Sequence, residues 1–205
     1  MIHLVAENLS KFFSDFKIFK DISFKISTGQ SLAVTGKNGS GKTTLIRILS
    51  RLIQPSRGKI LLYNDDEIIN KESFYKYIGL IGPYLELYQD LTAYENLVFF
   101  ARMKEVENYS ERINFLMDMI GLKGREQDLV KTYSSGMKQR LKYVFALLNE
   151  PEILFVDEPR SNLDTQGVET VYRIFEKQKK ENILILATND EDDLQFADMR
   201  VDLNE

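Results

Sequence analysis

The stretch Gly36-Lys37-Asn38-Gly39-Ser40-Gly41-Lys42-Thr43-Thr44, called the phosphate loop below, decides the fold of this chain. It matches the pattern G-x-x-x-x-G-K-[ST], in which glycines let successive backbone N–H groups point at an anion. The apolar run 31–35 before it predicts a buried strand, and the run 45–49 after it predicts a helix. Strand, glycine-rich turn and helix N-terminus together predict a nucleotide phosphate site.

The residues of this loop have separate expected roles. Lys42 is expected to reach the β- and γ-phosphates, and the Thr43 hydroxyl to coordinate Mg²⁺. The alternative is a glycine-rich turn with a solvated lysine, which the flanking strand and helix disfavour. The sequence therefore predicts that a nucleoside triphosphate with Mg²⁺ is bound by Gly36, Lys37, Asn38, Gly39, Ser40, Gly41, Lys42, Thr43 and Thr44.

The composition excludes several classes of function. A chain of 205 residues with 43% hydrophobic and 28% charged residues is typical of one soluble globular domain. Its net charge of −4 offers no basic field for nucleic acid, so we expect no nucleic-acid partner. No apolar run is long enough to cross a bilayer, and the first residues lack signal-peptide character. The absence of cysteine rules out disulfides, zinc–thiolate sites and thiol nucleophiles.

The chain reads as an α/β core interrupted by helices. Apolar and polar residues alternate over 22–26, which together with 2–6 predicts an antiparallel β layer. The helix after Lys42 is expected to end at 54–58, and 59–63 to form another strand. A capping box at 92–95 and apolar positions at helical spacing predict helices beginning near Thr92, Ser110 and Ser135. These helices predict a helical insertion at about 84–146.

Two acids follow a second buried strand. Ile153–Val156 is continuously apolar, as is 183–187, and a helix over about 165–179 joins them into a βαβ unit. Asp157 and Glu158 then lie at the carboxyl end of the strand, where ligands bind in parallel sheets. We expect Asp157 to hold Mg²⁺ and Glu158 to polarise the water that attacks the γ-phosphate. The alternative is that these acids merely open a polar loop.

A third segment, Ser134-Ser135-Gly136-Met137, opens a predicted helix. Hydroxyls and a glycine at a helix N-terminus form an anion site, although Ser-Ser-Gly alone is also an ordinary helix cap. Together with the phosphate loop and the acidic strand, it resembles the nucleotide-binding subunit of an ABC transporter. Ser134 and Gly136 match the serine and second glycine of that family's Leu-Ser-Gly-Gly-Gln signature, Ser135 replaces the first glycine, and Met137 replaces the glutamine.

The resemblance implies an α/β fold, the P-loop NTPase fold of ABC type, with the antiparallel β layer and helical subdomain in a single ATP-binding domain over 1–205. It implies a head-to-tail dimer of two copies with two ATP molecules between them, in which Ser134, Ser135, Gly136 and Met137 of one copy cap the γ-phosphate held by the other. The loop 161–164 resembles the one that bridges the two subunits. Phe13 stands where an aromatic ring stacks on adenine; the alternative is a core phenylalanine.

The resemblance also implies a membrane-spanning permease subunit on a separate chain. The subunit would then be cytoplasmic, peripheral on the inner face of the cell membrane, with the helical insertion and the loop 82–90 carrying motion to the permease. The compact chain is similar to haem-exporter subunits of cytochrome c maturation, which favours an exporter. The alternative reading is a soluble ABC ATPase outside transport, acting as an ATP-closed assembly or regulatory clamp.

Two departures from the family pattern predict slow or partner-dependent ATP hydrolysis. After the strand 78–81 the family usually has a glutamine near Mg²⁺, whereas this chain has Pro83 and Tyr84 there and Gln89 lies too far along. After its last core strand the family has a histidine, whereas this chain has Asn189, and its one histidine is His3. Asn189 is a catalytic candidate in place of that histidine. Its amide can donate a hydrogen bond but cannot carry a charge, so we expect it to act more weakly. Its alternative role is the N-cap of a following helix.

Overall fold

The computed structural model describes residues 1–14 and 16–204, which form two β-sheets and a group of helices. The predicted bounds 1–205 include residues 15 and 205, which lie outside the described residues. In chain order the strands are β1 Ile2–Phe13, β2 Phe16–Ser27, β3 Ser31–Thr35, β4 Arg57–Asn64, β5 Glu67–Ile68, β6 Ile78–Ile81, β7 Ile153–Asp157, β8 Ile183–Ala187 and β9 Met199–Asp202. The helices are α1 Lys42–Leu49, α2 Ala93–Met103, α3 Tyr109–Met119, α4 Ser135–Leu147, α5 Thr165–Glu181 and α6 Glu191–Leu194.

The predicted antiparallel layer is confirmed as a sheet of order β2-β1-β4-β5. Leu4 pairs with Ile26 on one side and with Leu62 on the other, so three apolar side chains share one buried face. Both β1 and β2 run further than the alternating segments because the pairing continues through irregular register shifts. Asp21, with φ 56°, interrupts the alternation in β2, which is why the pattern predicts only its second half.

The second sheet is parallel and has the order β6-β7-β8-β3-β9. Val34 and Asp157 both pair with Ala187, and Val156 pairs with Ile81. The carboxyl ends of four strands therefore meet at one edge, where the phosphate loop follows β3 and two acids close β7. This is the edge at which parallel α/β sheets bind ligands.

Both faces of the parallel sheet are buried, as the continuous apolar runs predict. Ile153 and Phe155 of β7 pack with α1 and the antiparallel sheet. Leu154 and Val156 of the same strand pack with α2–α5. The sheet thus joins two apolar cores and holds its own carboxyl edge rigid between them.

Helices α2, α3 and α4 lie between β6 and β7 in the sequence. The predicted capping box is present, since the Thr92 hydroxyl accepts from the Glu95 N–H at 3.0 Å and the Glu95 carboxylate accepts from the Thr92 N–H at 2.8 Å. Helix α3, the second helix of the insertion, begins at Tyr109, one residue before the predicted Ser110. Among the described residues, no helix combines the length and apolar character needed to cross a membrane.

Two predicted helix boundaries are wrong. Helix α1 ends at Leu49 rather than at 54–58, because Arg51 takes a left-handed conformation with φ 60° and turns the chain away. Asn189 does not cap α6: the Asp190 carboxylate is the N-cap and accepts from the Asp192 N–H at 3.0 Å. Strand β5 is exposed, β9 is mostly half-buried, and both are short, so they carry little apolar pattern to predict them from.

Candidate functional site

The phosphate loop packs so tightly that two of its glycines are required. A Cβ at Gly36 would lie 2.5 Å from the Ser40 hydroxyl oxygen, and one at Gly41 would lie 2.3 Å from a methyl carbon of Ile18. Both residues also have positive φ, 143° and 104°. Gly41 is the N-cap of α1, so the loop N–H groups and the positive end of the helix dipole face one space.

The Lys42 ammonium lies over this loop. It donates to the carbonyl oxygens of Gly36 at 2.7 Å and Lys37 at 3.2 Å. Burial lowers the pKa of Lys42, and the carboxylates of Asp157 and Glu158 oppose that shift. The Lys42 ammonium therefore lies within electrostatic range of both acids at the end of β7.

Asp157 is the buried acid of the site, with 1% of its side chain exposed. Within the described residues neither of its carboxylate oxygens has a hydrogen-bond partner. Burial raises the pKa of Asp157, opposed by the Thr43 hydroxyl and, more weakly, by Lys42 and Arg47, while Glu158 adds to the rise. A buried carboxylate of this kind destabilises the fold unless a cation or a hydrogen-bond donor compensates its charge.

These residues fit Mg²⁺. A carboxylate with unpaired oxygens beside a threonine hydroxyl supplies the hard oxygen ligands that Mg²⁺ takes when phosphates and water complete its octahedron. Across the described part of the chain there is no cluster of three or more His, Cys, Asp or Glu residues suited to a metal. The site therefore suits a cation that arrives with its own phosphate ligands.

Glu158 differs from Asp157 in its exposure and in its backbone conformation. Its side chain is exposed, and its backbone takes a left-handed conformation with φ 55°. The Glu158 N–H donates to the Ala187 carbonyl at 3.0 Å, which fixes this turn at the end of β7. Left-handed non-glycine residues cost free energy and concentrate at functional sites. Two adjacent acids in different surroundings can take different roles.

Asn189 reaches the phosphate loop. Its side-chain amide donates to the side-chain Oδ1 of Asn38 at 2.7 Å. Thr188 holds the segment in place, since its N–H donates to the Val34 carbonyl at 3.2 Å and its hydroxyl donates to the buried Asp193 carboxylate. The structure thus brings together three of the predicted elements: the loop, the acids and Asn189.

The segment Ser134–Met137 lies elsewhere. The Ser134 hydroxyl accepts from the Met137 N–H at 3.2 Å, as the N-cap of α4. A Cβ at Gly136 would lie 2.9 Å from the Asn162 carbonyl oxygen, so this segment packs against the loop 161–164. Within the described residues, no hydrogen bond or ion pair joins it to the phosphate loop of the same chain.

Phe13 is not a core phenylalanine, so that alternative is wrong. Its side chain is 53% exposed, and the Lys11 ammonium lies 4.9 Å from the ring centroid. It pairs with Phe16, which is also exposed, at the end of the β1–β2 hairpin. Ile18 of β2 contacts Gly41, which places the hairpin beside the phosphate loop.

Two site residues were not assigned roles from the sequence. The Tyr84 hydroxyl is buried and has no partner among the described residues, and the guanidinium of Arg47 lies 5.1 Å from its ring centroid. Burial raises the pKa of Tyr84 well above its usual value, and Asp157 adds to the rise. The sequence signal for Tyr84 was its position after β6, in place of the expected glutamine. The only sequence signal for Arg47 was its position four residues after Thr43, which places both on the same helix face.

A model of the protein family described as ABC transporter matches residues 19–161, well over half of the chain. The chain belongs to the ABC transporter family. The predicted resemblance to its nucleotide-binding subunits and the predicted fold class are therefore confirmed.

Individual members of the ABC transporter family agree with this assignment. YhcH of Bacillus subtilis, described as an uncharacterized ABC transporter ATP-binding protein, is 36% identical over 87% of this chain and 58% of its own length. A solved ATP-binding subunit of an ABC transporter has a TM-score of 0.86 at 28% identity, over 97% of this chain and 85% of that one. A dimeric ATP-binding cassette bound to ADP and Pi has a TM-score of 0.84 at 22% identity, over 97% and 93%. The chain spans about three fifths of the length of the curated relatives it matches.

Proposed function

We propose that this chain binds and hydrolyses ATP to power a membrane transporter of exporter type. One observation carries the proposal: the buried Asp157 has two oxygens without a partner among the described residues, and it lies in the electrostatic range of Lys42 and beside the Thr43 hydroxyl. That arrangement suits MgATP, and without a bound cation the charge of Asp157 is left uncompensated. The name of the dimeric cassette with ADP and Pi supports the choice of nucleotide.

In the proposed mechanism the loop N–H groups bind the phosphates while the Lys42 ammonium leaves its two carbonyl partners for phosphate oxygens. Thr43 and Asp157 would hold Mg²⁺, which neutralises charge on the phosphates when bound. Glu158 orients and deprotonates the attacking water as general base. Asn189, already bonded to Asn38, donates a hydrogen bond near the γ-phosphate.

The proposed unit of function is a head-to-tail dimer. The segment Ser134–Met137 opens α4, and among the described residues no hydrogen bond or ion pair joins it to its own phosphate loop, so we propose that it caps the nucleotide held by a second copy. Its packing against the loop 161–164 ties the cap to the segment that follows Glu158. The dimeric cassette of the same fold supports this arrangement.

The permease stays a proposed partner on a separate chain, and the peripheral position on the membrane follows from it. The exposed aromatic residues Tyr88 and Phe99, which pack on each other at 5.6 Å between ring centroids, lie in the segment proposed to contact it. Transport of haem is not assigned by any feature of this chain, because the permease selects the cargo. Slow hydrolysis is proposed because Pro83 and Tyr84 stand where the family has its glutamine, and Asn189 stands where it has its histidine.

The proposal is tested by nucleotide binding and phosphate release with the purified chain and with its membrane fraction. Wild type is expected to bind ATP in Mg²⁺ and to release phosphate slowly, and Lys42→Ala to lose both. Lys59→Ala is the matched control, because that ammonium forms an exposed ion pair with Glu7 in the antiparallel sheet, outside the phosphate loop. Wild type without ATP binding overturns the proposal. Co-purification with soluble proteins alone supports the clamp instead of the transporter.

A further inference from the structure

One corner of the site collects buried polar atoms that lack partners. In the described residues these are the Tyr84 phenol oxygen, the Arg47 Nε and both carboxylate oxygens of Asp157, and the three side chains lie within electrostatic range of one another. Buried polar atoms are nearly always hydrogen-bonded, and each one left unpaired costs about 1–3 kcal/mol. Three such side chains in one place indicate a polar ligand that joins them.

The end of β6 places the phenol oxygen in this corner. Ile81 pairs with Val156, so the chain leaves β6 beside Asp157. The Tyr84 ring then folds back over Gly82: a Cβ there would lie 2.7 Å from the ring Cζ and 3.0 Å from the phenol oxygen. The Lys142 ammonium, donating to the Gly82 carbonyl at 3.2 Å, holds this turn.

Helix α1 forms the other wall. Arg47 follows Thr43 by four residues and so shares its helix face. Its guanidinium lies over the Tyr84 ring, which holds the ring against the helix that carries the Mg²⁺ ligand Thr43. Tyr84 is therefore fixed from two sides, and its hydroxyl has no hydrogen-bond partner within residues 1–14 and 16–204.

We propose that Tyr84 is a positioning residue for the metal of bound MgATP, its hydroxyl bonding to a Mg²⁺-bound water or phosphate oxygen beside Asp157. This inference rests on the proposed function. It assigns to a phenol, in this chain, a contact that a side-chain amide commonly makes in the family. Groups that bond to metal-bound ligands typically change metal affinity by about 10–100-fold when removed.

The test is calorimetric ATP binding, in Mg²⁺ and in EDTA, for wild type and Tyr84→Phe. Removing the hydroxyl is expected to lower ATP affinity about tenfold in Mg²⁺ and to leave affinity in EDTA unchanged. Tyr84→Gln, which restores a polar group, is expected to recover part of the Mg²⁺-dependent gain. Tyr88→Phe is the matched control, because that exposed ring lies on the same segment outside the corner.

Equal affinities for Tyr84→Phe and wild type in Mg²⁺ overturn the inference. Equal losses in Mg²⁺ and EDTA also overturn it, because they indicate a purely structural ring. If wild type binds no ATP under either condition, the proposed function fails, and that result is distinct from either of these.

Discussion

At the scale of single residues, the site separates two neighbouring acids by their surroundings. Asp157 is buried and its oxygens have no partner in the part of the chain that the structure describes, whereas Glu158 is exposed on a left-handed turn. Burial suits a cation ligand, which needs its charge compensated, and exposure suits a base, which must exchange protons with water. The division of labour proposed for the two acids follows from this difference.

Replacing Glu158 with glutamine tests that division. The amide keeps the size of the side chain but cannot accept the proton of water, so turnover is expected to fall about 10²–10⁴-fold with ATP binding retained. Phosphate release under single-turnover conditions measures the effect, and Glu152→Gln at the other end of β7 is the control. Unchanged turnover would show that Glu158 is not the base.

Asn189→His is expected to raise the turnover rate. The imidazole reaches the loop from the position that bonds Asn38 and adds a donor that can carry charge. The rate should also become pH-dependent near pH 6.5, the ordinary pKa of histidine, which is about 6.5. The rate of phosphate release, measured from about pH 5.5 to 8.5 so that the range includes the histidine pKa, checks this prediction. A clear fall in rate at every pH contradicts it.

At the scale of elements, hydrogen bonds behind the site hold the segment after β8. The buried Asp193 carboxylate accepts from the Thr188 hydroxyl and from the Tyr172 hydroxyl at 2.9 Å. Arg160, two residues after Glu158, forms ion pairs with Asp190 and Asp192. This network joins the base-bearing turn to the Asn189 segment, so the two are expected to move together.

Thr188→Val removes one donor to this buried acid and keeps the shape of the side chain. The free energy of unfolding is expected to fall by about 1–3 kcal/mol, because Asp193 is left partly unsatisfied. Thr170→Val is the control, since its hydroxyl donates to a carbonyl of its own helix in solvent. Equal urea denaturation midpoints for the two variants would contradict the expected role of Thr188.

The junction of α2 with β6 gives stability a pH dependence. Burial lowers the pKa of Lys104 to about 8, while its ammonium donates to the Ile78 carbonyl and the Asn149 side chain. Between this pKa and the usual value of 10.5 the unfolded chain binds more protons than the folded one, so this group makes stability rise with pH in that window.

Lys104→Met should remove this contribution. The stability difference between wild type and variant is expected to shift in favour of wild type by up to about 1.4 kcal/mol per pH unit between pH 8 and pH 10. Urea denaturation at about pH 7, 8.5 and 10, which run from below the lowered pKa to near the usual one, measures this stability difference. Lys123→Met, which removes an exposed ion pair, is the control. A difference that stays constant with pH contradicts the assignment.

At the scale of the whole molecule, the sequence predicted the core because its signals are local. The phosphate loop, the apolar strands β7 and β8, and the capping box of α2 each specify their own structure. Long-range features escaped prediction. The contact of Asn189 with Asn38 spans 151 residues, and Tyr84 reaches Asp157 only because β6 and β7 pair. The exposure of Phe13 likewise depends on hairpin pairing rather than on its own hydrophobicity.

The proposed mechanism depends on two copies completing each other's nucleotide site, since in the described part of the chain no hydrogen bond or ion pair joins Ser134–Met137 to the phosphate loop. Sedimentation velocity of the Glu158→Gln variant measures this most directly. With excess MgATP the variant is expected to sediment as a dimer, and with EDTA as a monomer. A variant that binds MgATP yet stays monomeric, even with its permease present, contradicts the central claim.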